Sequence, residues 1–171
     1  MKKLLPILAL SAIAVAANAQ IANPPFFTPL VEDYDTMAAG VYPTFPAMSG
    51  NATVTAITGA LMDVGNFTFL PPWNGLQCMY GISTDVQWRF NFGMRRFGGR
   101  WRSASTATTG FRMRFYTLAN TLWFTSPVLP INTTSWQWYG YWTFVFVGSV
   151  IIEGVPTPGY VGHDNTRARW W

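Results

Sequence analysis

Past residue 20, apolar positions recur every second residue in short runs broken by glycine, proline, asparagine and serine. Val86, Trp88, Phe90 and Phe92 alternate with Gln87, Arg89 and Asn91, and Phe111, Met113 and Phe115 alternate with Arg112, Arg114 and Tyr116. A period of two turns one face of an extended strand to a core and the other to water, as in an antiparallel sheet. Ala52 to Thr58, with its β-branched residues, predicts a further strand, as do Leu122 to Thr125 and Thr166 to Trp170. No window past residue 20 keeps helical three-four spacing beyond two turns. Turn signals come at Pro71-Pro72, Asn74-Gly75, Gly98-Gly99, Pro127, Pro130 and Pro156 to Gly159. Strands at this spacing predict an all-β fold, an antiparallel β-sandwich of the jelly-roll kind.

The stretch Trp136 to Glu153 reads WQWYGYWTFVFVGSVIIE. Its apolar centre, Phe144 to Ile152, is too short to cross a bilayer as a helix and is interrupted by Gly148 and Ser149. Two buried strands with a bend near Gly148 are expected. Trp136, Trp138, Trp142, Phe144 and Phe146 would form the core face, leaving Gln137, Tyr139, Tyr141, Thr143 and Val145 on the other.

The first residues have a different pattern. Lys2 and Lys3 precede an apolar run, Leu4 to Ala17, and Ala17-Asn18-Ala19 is a small-x-small cleavage site. This predicts a signal peptide over 1–19, an extended lead-in over 20–30 containing Pro24, Pro25 and Pro29, and one β-sandwich domain over 31–171. Export past the inner membrane follows, to the secreted pool or the cell surface, with no membrane span expected after cleavage. Cleavage would also remove both lysines and leave nine arginines against seven acids, a formal charge of +2. With Cys78 as the sole cysteine, no disulfide forms within the chain, and Cys78 reads as a small buried hydrophobe.

Little in this composition supports catalysis. His163 is the only histidine, which excludes a zinc site built from several histidines and cysteines, and it reads as a polar residue in a glycine-rich surface turn. The seven acids show no spacing that marks a catalytic pair, and no phosphate loop or nucleic-acid motif is present. No enzymatic activity and no nucleic-acid partner are therefore expected. Glu32, Asp33 and Asp35 bunch at the start of the domain and Asp164 lies near its end. They read either as a solvated acidic turn or, if the ends meet, as oxygen ligands for a structural calcium ion, the one cofactor considered. Arg95, Arg96, Arg100 and Arg102 read as a solvated loop or edge strand, or as an anion or polysaccharide contact. Nine tryptophans, seven tyrosines and thirteen phenylalanines fit core packing, or partly a stacking platform for sugar rings. For such a platform Trp73, in a Pro-Pro-Trp-Asn-Gly loop, and Tyr139 and Tyr141, opposite the expected core face, are the candidates.

Several short motifs resemble one family. Val31 to Gly40 (VEDYDTMAAG), the strand from Ser49 to Val54, Phe97 to Trp101 (FGGRW), Arg114 to Tyr116 and Gly159 to Arg169 (GYVGHDNTRAR) resemble segments of exported β-sandwich domains found in secreted bacterial proteins, often ahead of a PEP-CTERM sorting tail. Those domains are similar to lectin-like and carbohydrate-binding jelly rolls. The resemblance implies paired terminal strands with Asp164 near the acidic opening, and Glu32, Asp35 and Asp164 as the positions for an ion. Thr166 departs from the usual Ile or Val, and no sorting tail follows Val155 to Pro158. The expected function is a non-catalytic secreted or cell-surface module that binds polysaccharide, cell-surface glycan or matrix, or serves as a structural unit. A small outer-membrane β-barrel and a subunit of an extracellular fibre or layer are the alternatives.

Overall fold

The computed structural model describes residues 19–21, 25, 26, 28–58, 61–73, 75–82 and 84–171. The expected leader lies outside these apart from Ala19. The strands are β1 (Ala19–Ile21), β2 (Leu30–Glu32), β3 (Gly40–Tyr42), β4 (Thr44–Ala47), β5 (Ala52–Ala56), β6 (Met62–Gly65), β7 (Cys78–Gly81), β8 (Val86–Ser103), β9 (Gly110–Thr117), β10 (Leu122–Thr125), β11 (Leu129–Pro130), β12 (Gln137–Val155) and β13 (Val161–Arg169). Every pairing is antiparallel. One hydrogen-bonded path runs β10-β9-β12-β8-β13-β7-β6-β3.

Two long strands turn this path into a sandwich. β8 pairs with β12 along most of its length, but its other edge changes partner, from β5 at Val86–Phe90 to β13 at Arg96–Ser103. β12 likewise changes from β1 at Tyr141–Thr143 to β9 at Val147–Val155. The first layer therefore holds β4, β5, the start of β8, the end of β12, β9 and β10. The second holds the start of β12, the end of β8, β13, β7, β6 and β3, with β2 on β13. The terminal strands do pair, Thr166 with Glu32 and Ala168 with Leu30.

The switch between layers is a pairing irregularity. From Trp142, opposite Arg96, to Val147, opposite Met94, β12 advances further than β8, so its surplus residues bulge outward. Across the switch the inward phase flips. Tyr141 and Thr143 face the core before it, Val150 and Ile152 after it. On β8 the buried set changes from Val86, Trp88 and Phe90 to Phe97 and Trp101, and Phe92 is left exposed at the crossing.

Rings from the two layers meet in the core. Trp101 lies 4.9 Å from Phe111, Phe97 lies 5.8 Å from Trp88, and Tyr141 lies 5.6 Å from Phe115 and 5.4 Å from Phe124. This corrects the expected faces of residues 136–153. The phase carrying Tyr139 and Tyr141 packs against the first layer's opposing rings, while Phe144 and Phe146 stand outside and Trp138 and Trp142 are only half-buried. Both phases are apolar, so local pattern does not distinguish them; the position of the opposite layer does. Trp136 is buried, in a small satellite core with Leu70 and Cys78 on the outer side of the second layer.

His163 also departs from expectation. It is no surface-turn residue: it sits inside β13, fully buried, 4.7 Å from the Trp101 ring. Burial drives its imidazole pKa down to about 3, so the ring is neutral. Cys78 is buried as expected, donates to the Leu70 carbonyl at 3.2 Å, and has its thiol pushed up to about 12 by burial, which leaves it unreactive.

Candidate functional site

The outer face of the second layer combines rings with cations. Register sets Trp138 opposite Arg100, Gly140 opposite Gly98 and Trp142 opposite Arg96. Across the other edge of β8, Arg167 of β13 stands opposite Gly98 and Arg169 opposite Arg96. Alternation turns all of these away from Phe97 and Trp101. Each guanidinium meets a ring: the Arg100 Cζ lies 4.2 Å from the Trp73 ring centre, Arg169 4.6 Å from Trp171, and Arg96 and Arg167 each 5.7 Å from Trp142 and Trp138. These are cation–π distances.

Gly98 and Gly140 make the floor between the rings. A Cβ on Gly98 would stand 2.7 Å from the Gly140 Cα and 3.1 Å from Cζ2 of Trp138, so the indole reaches across a surface only glycine leaves open. Trp138 is further set by Phe26, edge-on at 5.9 Å. Arg167 donates from Nε to Asn165 Oδ1 at 2.8 Å and from Nη1 to the Phe26 carbonyl at 2.9 Å.

Trp73 reaches this face on the loop over 71–77, and carboxylates hold that loop. Asp164 Oδ2 accepts the Trp73 N–H at 2.7 Å, and Asp35 Oδ1 accepts the N–H groups of Leu76 at 2.6 Å and Gln77 at 3.0 Å. Trp136 Nε1 donates to the Pro71 carbonyl at 2.8 Å. Gly75, at φ +85°, packs so closely on Asp35 that a Cβ would fall 2.0 Å from Oδ2. Glu32 does the same work elsewhere, accepting from Tyr34 N–H at 3.0 Å and Met48 N–H at 2.7 Å; burial raises its carboxyl pKa.

The expected calcium ligands Glu32, Asp35 and Asp164 are therefore not gathered around one point. Each carboxylate serves separate backbone N–H groups, and among the described residues no three His, Cys, Asp or Glu side chains are placed to hold a metal ion. Of the expected stacking residues, Trp73 is 49% exposed and joins the outer face. Tyr141 is 2% exposed and is a core residue. Tyr139 packs 5.8 Å from Phe111, and its hydroxyl donates to the Pro130 carbonyl at 2.8 Å and contacts Gln137 Oε1 at 2.7 Å, so it belongs to the inner side. Trp138 and Trp142 replace them. The signal that points to these two is their position opposite arginine in the neighbouring strand. Arg102, from the same cluster as Arg96 and Arg100, spends its guanidinium on the Thr133 carbonyl.

A second outer feature lies at the layer switch. Phe92, Gly93, Leu118, Phe146 and Trp170 line an open apolar cleft of about 530 Å³.

No family model and no curated protein matches this sequence. Solved structures do match its fold. The xylan-binding domain CBM22-1 of Xyn10C from Paenibacillus barcinonensis superposes with a TM-score of 0.56 at 12% identity, over 86% of this chain and 97% of that one. The K2 cleaved adhesin domain of Lys-gingipain gives 0.57 at 9% identity, over 81% and 97%. An arabinose-bound α-L-arabinofuranosidase gives 0.51 at 7% identity, over 81% of this chain but 25% of the enzyme. The chain thus has the antiparallel β-sandwich fold of carbohydrate-binding and adhesin domains, a fold that also occurs as part of an enzyme.

Proposed function

We propose that the chain is a non-catalytic, exported glycan-binding module whose ligand lies across the outer face of the second layer, over Trp73, Trp138 and Trp142. The observation that carries this reading is the set of three incompletely buried indoles on one sheet face, each beside an arginine. An indole offers an apolar plane to the C–H face of a pyranose, and its neighbours offer hydrogen-bond donors to the hydroxyls. Along β12, Trp138 and Trp142 are separated by roughly 13 Å of extended chain, a span suited to an oligosaccharide rather than a single sugar. His163, buried on the inner side, is not placed to act on such a ligand. Titration of the full chain with polysaccharides, followed by tryptophan fluorescence and calorimetry, tests the reading. Binding that Trp138→Ala and Trp142→Ala each weaken, with melting temperature kept, is expected. Unaltered binding by both variants would discard it.

A second reading, an adhesive module that contacts a protein or a like subunit, is favoured by the apolar cleft at Phe92, Leu118, Phe146 and Trp170. Concentration-dependent light scattering that Phe146→Ser abolishes would support it over the first.

A further inference from the structure

We infer that the crossing between the two layers binds a single-chain anionic amphiphile of the fatty-acid kind, its hydrocarbon tail in the apolar cleft and its carboxylate head at Arg89. This site lies apart from the indole face and does not depend on the glycan-binding reading.

The cleft follows from the phase flip. Where β8 and β12 pass from one layer to the other, side chains turned out of the core stay exposed: Phe92 at 56%, Phe146 at 46%. Trp170, just past β13, lies 6.5 Å from Phe92. Leu118 joins them from the turn between β9 and β10. That turn is closed by the Thr117 N–H donating to the Thr121 carbonyl and the Asn120 N–H donating to the Thr117 carbonyl, each at 2.9 Å. Gly93 is the floor. A Cβ there would fall 2.6 Å from the Phe146 Cβ, so a larger residue would displace the ring that forms one wall. Apart from the Trp170 indole N–H, the five lining residues bring no side-chain hydrogen-bonding group. A peptide lying there would leave backbone N–H and C=O groups without partners, which is costly. A hydrocarbon chain asks for none. At about 530 Å³ the cleft is within the size range of small-molecule sites.

Leu118 also borders a smaller pocket, of about 120 Å³, on the outer side of the first layer. Register builds it: Arg89 of β8 stands opposite Ser149 of β12, and Ser149 opposite Tyr116 of β9. Arg89, Thr117, Asn120 and Ser149 line it, bringing a guanidinium, an amide and two hydroxyls. Arg89 is exposed, and the ion pair found among the described residues, Arg114–Glu153, does not involve it. The two cavities meet at Leu118, so an apolar trough opens on a cationic end. A carboxylate there meets the planar guanidinium in two parallel hydrogen bonds. Gly93 lies four residues along β8 from Arg89, roughly 13 Å of extended chain, a span for a long tail rather than a short one.

The test titrates the full chain with dodecanoate below its micelle point, with dodecanol as the same tail under a neutral head and hexanoate as the same head on a short tail. Calorimetry gives affinity and stoichiometry. Saturable binding of one dodecanoate per chain is expected, roughly tenfold or more tighter than either control, with the margin over dodecanol shrinking as salt rises. Arg89→Gln should remove that margin and keep dodecanol binding, melting temperature and any polysaccharide binding. Phe146→Ser and Leu118→Ser, both at exposed positions, should each weaken dodecanoate and dodecanol together. Equal affinity for dodecanoate and dodecanol overturns the inference. So does dodecanoate binding that Arg89→Gln leaves unaltered. Sedimentation with phosphatidylglycerol vesicles but no binding of monomeric dodecanoate overturns it in favour of a bilayer contact. Self-association that Phe146→Ser abolishes, again without dodecanoate binding, overturns it in favour of a protein contact.

Discussion

The two faces of the β8–β12 ribbon are built from the same kinds of residue and do opposite work. Inside, Trp101 meets Phe97 and Phe111 at ring distances, Tyr141 meets Phe115, and the one basic side chain among them, His163, is held neutral. Outside, Trp138, Trp142 and Trp73 contact arginines. Ring content alone therefore does not separate a core from a platform. What separates them is the cross-strand partner: a buried ring is met by another ring from the opposite layer, whereas an outer ring is met by a charge that needs water or a ligand. An arginine beside an indole keeps its charged end solvated while its stem covers apolar surface, which makes such a face stable without burial.

The largest effect expected from breaking this contrast is on the inner side. Trp101→Ala should cost about 3–5 kcal/mol of stability, read by chemical denaturation, because it empties a fully enclosed site. Trp142→Ala on the outer side should cost under about 1 kcal/mol and act on binding. Equal losses from the two would mean that the faces are not distinct.

Acidification probes the same inner side. With a folded pKa of about 3 against an ordinary 6.5, His163 takes up its proton more readily in the unfolded chain, so stability falls as pH drops below about 6.5. The slope approaches about 1.4 kcal/mol per pH unit. Glu32, Asp63 and Asp85 have raised folded-state pKa values and act in the opposite sense as they take up protons, so the histidine is read best in the window just below pH 6.5. His163→Leu should flatten denaturation midpoints across that window; an unchanged slope would place the pH response elsewhere.

A smaller effect is expected at the loop that carries Trp73. Gly75→Ala sets a side chain at positive φ and against the Asp35 carboxylate, and should cost about 1–2 kcal/mol. Its informative readout is ligand affinity, which should fall as the loop shifts Trp73 off Arg100. Retained affinity with lowered stability would take Trp73 out of the site. The smallest stability change is expected for Arg100→Gln, within about 0.5 kcal/mol, with its consequence confined to binding.

Much of the fold was readable in the chain. The two-residue runs at Val86–Phe90 and Phe111–Phe115 became β8 and β9 with the expected inner faces, and Cys78 is buried. The pairing of β2 with β13 followed the motifs at Val31 and at Gly159. The candidate site was less legible. Trp73 is exposed as expected, because a Pro-Pro-Trp-Asn-Gly loop favours the surface. Tyr139 and Tyr141 were misplaced because residues 136–146 are apolar in both phases, and polarity cannot orient such a strand. The acids looked like ion ligands because sequence shows their charge and not the loop N–H groups that approach them. His163 looked exposed because its neighbours are glycine and aspartate, although its strand is covered on both sides.

By itself the sequence determined that the chain forms strands and that four of its arginines crowd into residues 95–102, since period and charge are local properties. Only the tertiary structure decided which side of β12 faces inward, that Arg96 and Arg100 meet Arg167 and Arg169, and that Asp35 and Asp164 tie down a loop. Those outcomes depend on register between strands far apart in the chain and on the bulge that flips the phase, and a one-residue difference in either would exchange core for surface.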